Sequence, residues 1–323
     1  MNREKLKRIA QESGVSVSTV QKMLSNTCSF ELCKKREVMR LAQKYGYFSE
    51  KQPSGPGKTI GVAMPIVPSF FWSVAMEGMN TACEEYKGRV ELKYSYYSEF
   101  SDETDVLYCL QTLAEREPDG CICVPAPFPK VSGVLASLPV PFGLFNRNED
   151  IPAKLFYIGS DSWQEGIKAA ELMHYLTGKS GQVAVLVSKS GNPRAVGFQS
   201  WYRERGVEPV VCVVDTSEKL AQAKIARFLQ QQGRLAGIYV ADGLTHVACQ
   251  ALKKLKSNAV VIGNECTKQD VPFVENKTVK AYFKQDIYMQ GYLSVKLMAD
   301  FLLYGLVPSE QENILSSTVF FNE

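Results

Sequence analysis

The stretch from Leu6 to Ser25, LKRIAQESGVSVSTVQKMLS, predicts two short helices joined by a tight turn. Leu6, Ile9 and Ala10 have the i, i+3, i+4 spacing that places side chains on one face of a helix. Residues 13–15, Ser-Gly-Val, interrupt this spacing, and glycine readily adopts the positive φ that a sharp turn needs. The chain is therefore predicted to begin with a compact helical hairpin.

The second helix of this hairpin is predicted to begin after Ser16, a residue type that favours the N-cap position. Val20, Met23 and Leu24 form its inner face, which leaves Gln21 and Lys22 pointing outward. Two short helices in this order are typical of a helix-turn-helix, whose second helix enters the major groove of DNA. The alternative is an ordinary helical hairpin without a nucleic-acid partner.

The charge of the chain is distributed unevenly and favours the DNA-binding interpretation. Residues 1–58 carry 12 Lys and Arg against 5 Asp and Glu, which leaves 25 against 29 for residues 59–323 of a chain whose totals are 37 and 34. A basic head on a mildly acidic body indicates a polyanionic partner for the head alone.

The head also resembles a known family. Residues 9–26, IAQESGVSVSTVQKMLSN, resemble the first two helices of the lactose-repressor (LacI) family of bacterial regulators. Glu31 to Tyr45, followed by Gly46-Tyr47, is similar to the third helix of that head and its usual ending, with Val38, Leu41, Ala42 and Tyr45 as the predicted core stripe. The resemblance implies that the first turns of the second helix read bases.

Several residues of the head become candidate DNA contacts on these grounds. Lys22 can donate to guanine, Gln21 can pair with adenine, and Val17 can touch a thymine methyl group. The family usually has Ser-Arg where this chain has Gln21-Lys22, and because lysine lacks the bidentate fork of arginine, we expect a different operator sequence. The candidate DNA-binding residues are Ser16, Val17, Ser18, Thr19, Gln21, Lys22 and, as phosphate contacts on the third helix, Lys34 and Lys35.

A linker at residues 49–58, SEKQPSGPGK, separates the head (1–48) from the body (59–323). Its two prolines and two glycines are incompatible with a stable helix. The lactose-repressor family has a longer segment here, which folds into a hinge helix on DNA and wedges a leucine into the minor groove. Since both the length and the leucine are missing, we expect no minor-groove wedging in this protein.

Size and composition suit a small head on a large soluble body. The chain has 323 residues, of which 45% are hydrophobic and 22% charged. No apolar run approaches the ~18 residues of a membrane span. Nine cysteines without a CxxC pair, in a chain that shows no signal peptide, indicate reduced thiols in the cytoplasm.

From Thr59 onward, short apolar runs alternate with segments of helical periodicity, from a predicted strand at Ile60–Met64 to a long helix at Met289–Tyr304. Such repeated βαβ units predict parallel sheets covered by helices, with about ten strands divided over two sheets. The body resembles the periplasmic sugar-binding-protein fold that lactose-repressor-type regulators share. The predicted fold class is therefore a small all-α head and an α/β body of two parallel-sheet lobes with a cleft between them.

Ligands in open parallel sheets bind beyond the carboxyl ends of the strands, where this sequence places a set of polar and aromatic residues. The resemblance implies a sugar site, with paired aromatics, arginines that reach the ligand and acidic residues after late strands. Core packing is the alternative for one of the three consecutive aromatics. The candidate effector-binding residues are Phe70, Phe71, Trp72, Arg147, Arg194, Asp242, Glu265 and Gln285.

One wall of this predicted site is unusually apolar. Pro125-Ala-Pro127-Phe128-Pro129 stands where ribose-type binding proteins have an Asp-Arg pair. The effector can therefore carry an apolar or aromatic part, and a nucleobase, a phosphosugar or a protein remains an alternative to a free sugar.

An enzymatic function is not expected. Gly178-Lys179-Ser180 resembles the end of a P-loop, but position 173 is Met where that motif needs glycine. His174 and His246 lie in separate predicted helices without metal-ligand spacing, and no cofactor or metal is expected. An Asp242–Glu265 glycosidase pair would leave the basic head without a purpose.

The sequence thus predicts a cytoplasmic transcriptional regulator, most simply a repressor, that binds an operator as a homodimer under the allosteric control of a sugar-like effector. A solute-binding module without DNA function is the alternative from another class. No heptad tail follows Phe321, so the sequence gives no support for a coiled-coil tetramer.

Overall fold

The computed structural model describes residues 2–24, 34, 37–38, 41–42, 44–45, 47, 56–67, 69–98, 101–214 and 218–321. The chain divides into two compact units, each assembled from separate stretches of sequence. Unit 1 contains Met1–Gly159 and Ile287–Ile314, and unit 2 contains Ser160–Asp286 and Leu315–Glu323.

The N-terminal helices lie where the sequence predicts them. Helix α1 spans Asn2–Ser13 and α2 spans Val17–Leu24, with Gly14 between them at a φ of 67°. Ser16 Oγ accepts a hydrogen bond from the Thr19 N–H at 3.1 Å, which confirms the predicted cap. The predicted inner faces of both helices are buried, namely Leu6, Ile9 and Ala10 on α1 and Val20, Met23 and Leu24 on α2.

The third predicted helix of the head is described only in part. Residues 34, 37, 38, 41, 42 and 44 are helical, and Val38, Leu41 and Ala42 are buried as predicted. Tyr45 is half-buried and its hydroxyl donates to the Glu12 carboxylate of α1. Lys35 and most of the linker lie outside the described residues.

Unit 1 holds a six-stranded sheet in the order β11-β5-β4-β3-β1-β2, and each neighbouring pair is parallel. Its strands are β1 (Lys58–Val67), β2 (Val90–Ser98), β3 (Gly120–Cys123), β4 (Phe142–Phe145), β5 (Phe156–Gly159) and β11 (Glu312–Ile314). Its helices are α3 (Ser69–Glu84), α4 (Glu103–Ala114), α5 (Pro129–Ala136) and α11 (Ile287–Tyr304).

Unit 2 holds a second six-stranded sheet in the order β12-β10-β9-β8-β6-β7, in which β12 alone of the described strands runs antiparallel to its neighbour. Its strands are β6 (Val183–Val187), β7 (Val210–Val213), β8 (Gly237–Val240), β9 (Val260–Asn264), β10 (Val279–Lys284) and β12 (Thr318–Phe321). Its helices are α6 (Ser162–Leu176), α7 (Pro193–Arg203), α8 (Glu218–Gln232), α9 (Thr245–Lys254) and α10 (Val271–Glu275).

The two parallel-sheet lobes are thus confirmed, with differences in detail. Strand β1 runs from Lys58 to Val67 instead of Ile60 to Met64, and its register with β2 shifts between Pro65 and Val67. A proline is tolerated there because the ladder is already irregular. Strand β11 was not predicted, because a three-residue edge strand that is mostly exposed has no apolar pattern.

The core of each unit consists of apolar side chains on both faces of its sheet, packed under the flanking helices. In the part of the chain that the structure describes, no helix is long and apolar enough to cross a membrane.

Candidate functional site

The carboxyl ends of four neighbouring strands in unit 2 carry the polar residues of a candidate site. Asp242 follows β8, and its Oδ2 accepts the N–H of Ser188, the residue after β6, at 2.6 Å. Glu265 follows β9, and its Oε1 accepts the N–H of Gln285, the residue after β10, at 3.1 Å. Because these strands are parallel, three of the residues proposed from sequence lie along one edge of the sheet.

Helix α7 adds Arg194 to this site. Asn192 caps the helix by accepting the N–H groups of Arg194 and Ala195 at 2.9 and 3.4 Å, and Pro193 occupies the first turn. A cation in the first turn of a helix meets the positive end of the helix dipole, so this position is unfavourable for an arginine without a partner.

Glu165 on α6 is that partner. Arg194 Nε donates to Glu165 Oε2 at 2.6 Å, and their side chains are only 14% and 6% exposed. The other oxygen of Glu165 accepts the hydroxyl of Ser317. Both oxygens of the Glu165 carboxylate therefore accept hydrogen bonds within unit 2, and the carboxylate holds the Arg194 side chain in place.

A close approach of α6 and α7 makes this pairing possible. A Cβ atom at Gly166 would lie 2.0 Å from the Arg194 carbonyl oxygen, and one at Gly197 would lie 2.1 Å from that of Trp163. Larger residues at these two positions would push the helices apart. The paired glycines thus bring the start of α7 against the start of α6.

The buried charges of the site shift one another's pKa. Burial would lower the pKa of Arg194, but the Glu165 carboxylate outweighs this effect and the pKa is raised. Burial raises the pKa of Asp242, and hydrogen bonds from Ser188 and the charge of Arg194 offset it only in part. Burial likewise raises the pKa of Glu265, and the hydrogen bond from the Gln285 N–H and the charge of Arg194 offset this rise only in part. Arg194 therefore acts electrostatically on both carboxyl groups.

Tyr239 and Phe198 support this cluster from the core of unit 2. Their rings stack with centroids 5.1 Å apart, and Tyr239 is fully buried. Asn264 Nδ2 donates to the Tyr239 hydroxyl at 2.6 Å and to the Val240 carbonyl at 3.2 Å. The polar residues at the carboxyl ends of these strands thus pack against buried aromatic rings, which limits the movement of their side chains.

Asp242 also carries a buried oxygen without a hydrogen-bond donor among the described residues. Its Oδ1 accepts no hydrogen bond from the described residues, although the atom is buried. An unsatisfied carboxylate oxygen in such a place is costly, so a donor that reaches it gains more than it would at the surface. The site combines this acceptor with the Glu265 carboxylate, the Gln285 amide and the Arg194 guanidinium. These groups can bind a polyhydroxyl molecule.

The remaining candidate effector residues belong to unit 1. Trp72 is 1% exposed and packs edge-on against Phe145 and Phe71, with ring centroids 6.1 and 5.0 Å apart. It is a core residue, which matches the packing alternative for one of the three aromatics. Phe71 is half-buried and Phe70 is exposed. Arg147 is half-buried after β4.

The proline-rich stretch after β3 has a structural explanation. Phe128 is the N-cap residue of α5, and Pro129 occupies its first turn, where the missing N–H costs nothing. Phe128 also packs against the hydrophobic core of unit 1. Starting this unpredicted helix is a sufficient reason for Phe128-Pro129, independent of any ligand.

Glu165 is the residue of the site that sequence reasoning missed, although a signal was present. Glu165, Ala169 and Met173 follow one another at i, i+4 and i+8 on the buried stripe of α6. A carboxylate in such a stripe needs a buried partner. That partner is 29 residues away in sequence, and spacing alone did not identify it.

In the head, the candidate DNA-binding residues differ in exposure. Ser16, Ser18, Gln21 and Lys22 are exposed, and Val17 and Thr19 are half-buried. Lys34 forms an ion pair with Glu37 at 2.6 Å. The exposed residues of α2 lie opposite its buried face, as a helix that presents one face to a partner requires.

Comparison with known proteins agrees with the fold of the body. Residues 60–305 match the model of the periplasmic binding protein domain. A search of curated protein sequences finds no significant match. Many solved structures are similar to this chain.

A glucose-galactose binding protein from Geobacillus stearothermophilus is 18% identical, with a TM-score of 0.75 over 83% of this chain and 98% of its own. A protein from Bacteroides fragilis described as a LacI transcriptional regulator is 18% identical, with a TM-score of 0.72 over 82% and 97%. A solute-binding protein from Bacillus halodurans with bound myo-inositol is 17% identical, with a TM-score of 0.72 over 84% and 96%.

At these identities the solved structures establish the shared fold, and the family model covers most of the chain. This chain therefore belongs to the periplasmic binding protein domain family.

Proposed function

We propose that this protein is a transcriptional regulator of the lactose-repressor type, which acts in the cytoplasm as a homodimer and responds to a small polyhydroxyl effector. The observation that carries the effector half of the proposal is the polar cluster at one sheet edge of unit 2, formed by Arg194, Asp242, Glu265 and Gln285. Similar folds include a glucose-galactose binding protein and a protein with bound myo-inositol, which supports a sugar-like ligand.

The N-terminal helices support the DNA half of the proposal. Helix α2 buries Val20, Met23 and Leu24 and exposes Gln21 and Lys22. In the proposed function this exposed face enters the major groove, and the net positive charge of residues 1–58 supplies sequence-independent attraction to phosphates. A solved structure described as a LacI transcriptional regulator shares the fold of the body.

In this mechanism, effector and operator binding are linked by a coupling free energy. Two heads in a dimer read two half-sites, and an effector that binds one state of the body more tightly changes the affinity of both heads together. The same linkage requires that operator DNA change the affinity for the effector by an equal factor.

The effector half is tested by thermal melting of the full chain with sugars, polyols, sugar phosphates and nucleobases. A ligand at 100 times its Kd should stabilise the protein by about 2.7 kcal/mol, which is a clear shift in melting temperature. The shift should be lost in Gln285→Ala and kept in Glu208→Gln, which alters an exposed ion pair of the same unit. A shift that survives Gln285→Ala would place the ligand elsewhere, and a panel without any shift would contradict the sugar effector.

The DNA half is tested by selecting bound duplexes from a random pool with the full chain. A roughly palindromic sequence should emerge, and Lys22→Ala should weaken it and relax the base preference at one position by about 1–3 kcal/mol. Lys253→Ala, at an exposed lysine of α9, is the control. Enrichment without any sequence preference would contradict the proposal.

A second candidate function is a solute-binding module that does not regulate transcription. The family match covers the body alone, and two of the three similar structures described above are binding proteins. The two candidates share the effector site and differ in the DNA experiment. Effector binding without selection of a duplex would favour the second.

A further inference from the structure

The polar cluster of unit 2 contains more negative than positive groups. Arg194 is in direct contact with the Glu165 carboxylate at 2.6 Å, and it interacts electrostatically with Asp242 and Glu265. Glu265 in turn is affected electrostatically by both Arg194 and Glu165. One guanidinium therefore interacts with three carboxyl groups in a largely buried place, where screening by salt is weak.

Both features of the cluster that attract anions already have partners within the protein. The Arg194 guanidinium donates to Glu165, whose side chain is 6% exposed. The first N–H groups of α7 are capped by the Asn192 side chain at 2.9 and 3.4 Å. An anionic ligand would thus approach the Asp242 and Glu265 carboxyl groups with the positive charge of Arg194 already paired to Glu165.

We propose that Glu165 determines the charge selectivity of the effector site, by neutralising Arg194 from inside the protein so that the site accepts uncharged or amino-bearing polyhydroxyl ligands and rejects phosphorylated or carboxylated ones. This inference rests on the proposed effector function. It assigns to Glu165 a role in specificity without contact to the ligand, and it selects among the effector classes that the sequence leaves open.

The contacts of Glu165 explain why a glutamate serves this role. Its Oε2 accepts from Arg194 and its Oε1 accepts from Ser317, so both oxygens are engaged and the carboxylate is held on the side of Arg194 that faces α6. A glutamine of the same shape keeps an acceptor for Arg194 and removes the negative charge. Glu165→Gln therefore changes the charge of the cluster with little change in shape.

The test uses the full chain and three ligands that differ in charge at one carbon. These are the neutral sugar of the panel that binds most tightly, its phosphate monoester and its amino derivative at the same position. Titration calorimetry should show the phosphate ester binding at least about tenfold more weakly than the neutral sugar, since like charges are juxtaposed in the complex. The amino derivative should bind at least as tightly as the neutral sugar.

Glu165→Gln should reduce the discrimination against the phosphate ester by about tenfold, while Glu208→Gln should leave the ratio unchanged. An unchanged ratio in Glu165→Gln would overturn the role of Glu165, and if that variant does not fold, the three affinities of the wild-type protein still test the charge selectivity of the site. Equal or tighter binding of the phosphate ester would overturn the inference. A loss of affinity for the amino derivative as large as that for the ester would also overturn it, because the size of the substituent, and not its charge, would then be the cause. Failure of the proposed function gives another pattern, in which no member of the panel binds.

Discussion

Arg194 Nε lies 2.6 Å from Glu165 Oε2, and this buried ion pair joins the first turns of two helices that start at the same end of unit 2. The acidic residue is favourably placed at the N-terminus of α6, whereas the basic residue is unfavourably placed at the N-terminus of α7. The pair therefore resolves an electrostatic conflict and at the same time fixes the guanidinium at the candidate site.

Breaking this pair on one side should be more costly than removing it entirely. Arg194→Met or Glu165→Met alone should destabilise unit 2 by about 3–5 kcal/mol, because each leaves an uncompensated buried charge. The double variant should be less destabilised than the sum of the two. Hydrogen exchange of peptides from residues 162–203 in all four proteins measures this coupling, and strictly additive effects would contradict it.

The glycine contact between α6 and α7 should be as important as the ion pair. Gly166→Ala places a methyl group 2.0 Å from the Arg194 carbonyl oxygen, so we expect the helices to separate, the melting temperature to fall and effector affinity to decrease. Gly133→Ala on α5 is the matched control, because nothing lies within 4 Å of its Cβ position. That variant should be neutral or stabilising by up to about 1 kcal/mol. Equal behaviour of the two variants in melting experiments would contradict the close packing.

Asp242 should make stability depend on pH. Because its pKa is raised, the folded protein retains a proton where the unfolded chain has lost it. This contribution is fully present below the ordinary aspartate pKa and is lost as pH rises through the raised value. Asp242→Asn should therefore be more stable than the wild type near pH 8, by about 1 kcal/mol, with the difference shrinking as the pH falls through the raised pKa toward the ordinary aspartate pKa.

Melting curves of both proteins over this pH range measure the difference. The pKa of Glu265 is also raised by burial, but this residue is present in both proteins, so its contribution does not affect the difference between them. A difference that grows as the pH falls would contradict the raised pKa of Asp242. In the proposed function the variant should also bind the effector more weakly, because it exchanges an acceptor oxygen for a donor.

The turn between α1 and α2 provides a prediction about the head. Gly14 has a φ of 67°, and a Cβ atom there would contact nothing within 4 Å. The cost of Gly14→Ala is therefore purely conformational, about 1 kcal/mol, and Gly14→Asn should cost less because asparagine tolerates this region. Hydrogen exchange of residues 2–24 would rank the variants, and an alanine variant as well protected as the wild type would contradict the positive φ.

Much of the fold could be predicted from local patterns. The strand at Val183–Val187 is a continuous apolar run, and its bounds agree with the prediction because a buried parallel strand leaves no polar alternation to misread. Helix α5 and strand β11 were missed, since each is short and its residues are placed by neighbouring elements. Bounds near Pro65 were wrong because proline predicts the end of a strand, whereas β1 continues past it with a shift in register.

The sequence by itself determined the alternation of strands and helices, the cap at Ser16, the buried faces of α1 and α2, and the positions of Asp242, Glu265 and Gln285 after parallel strands. These follow from periodicity and turn chemistry, which act over a few residues. Only the tertiary structure decided that Arg194 pairs with Glu165, that Ser317 joins them and that Trp72 belongs to the core. The reason is physical: the partner of a buried charge and the burial of an aromatic ring depend on which distant segments pack together, and no local pattern encodes that contact.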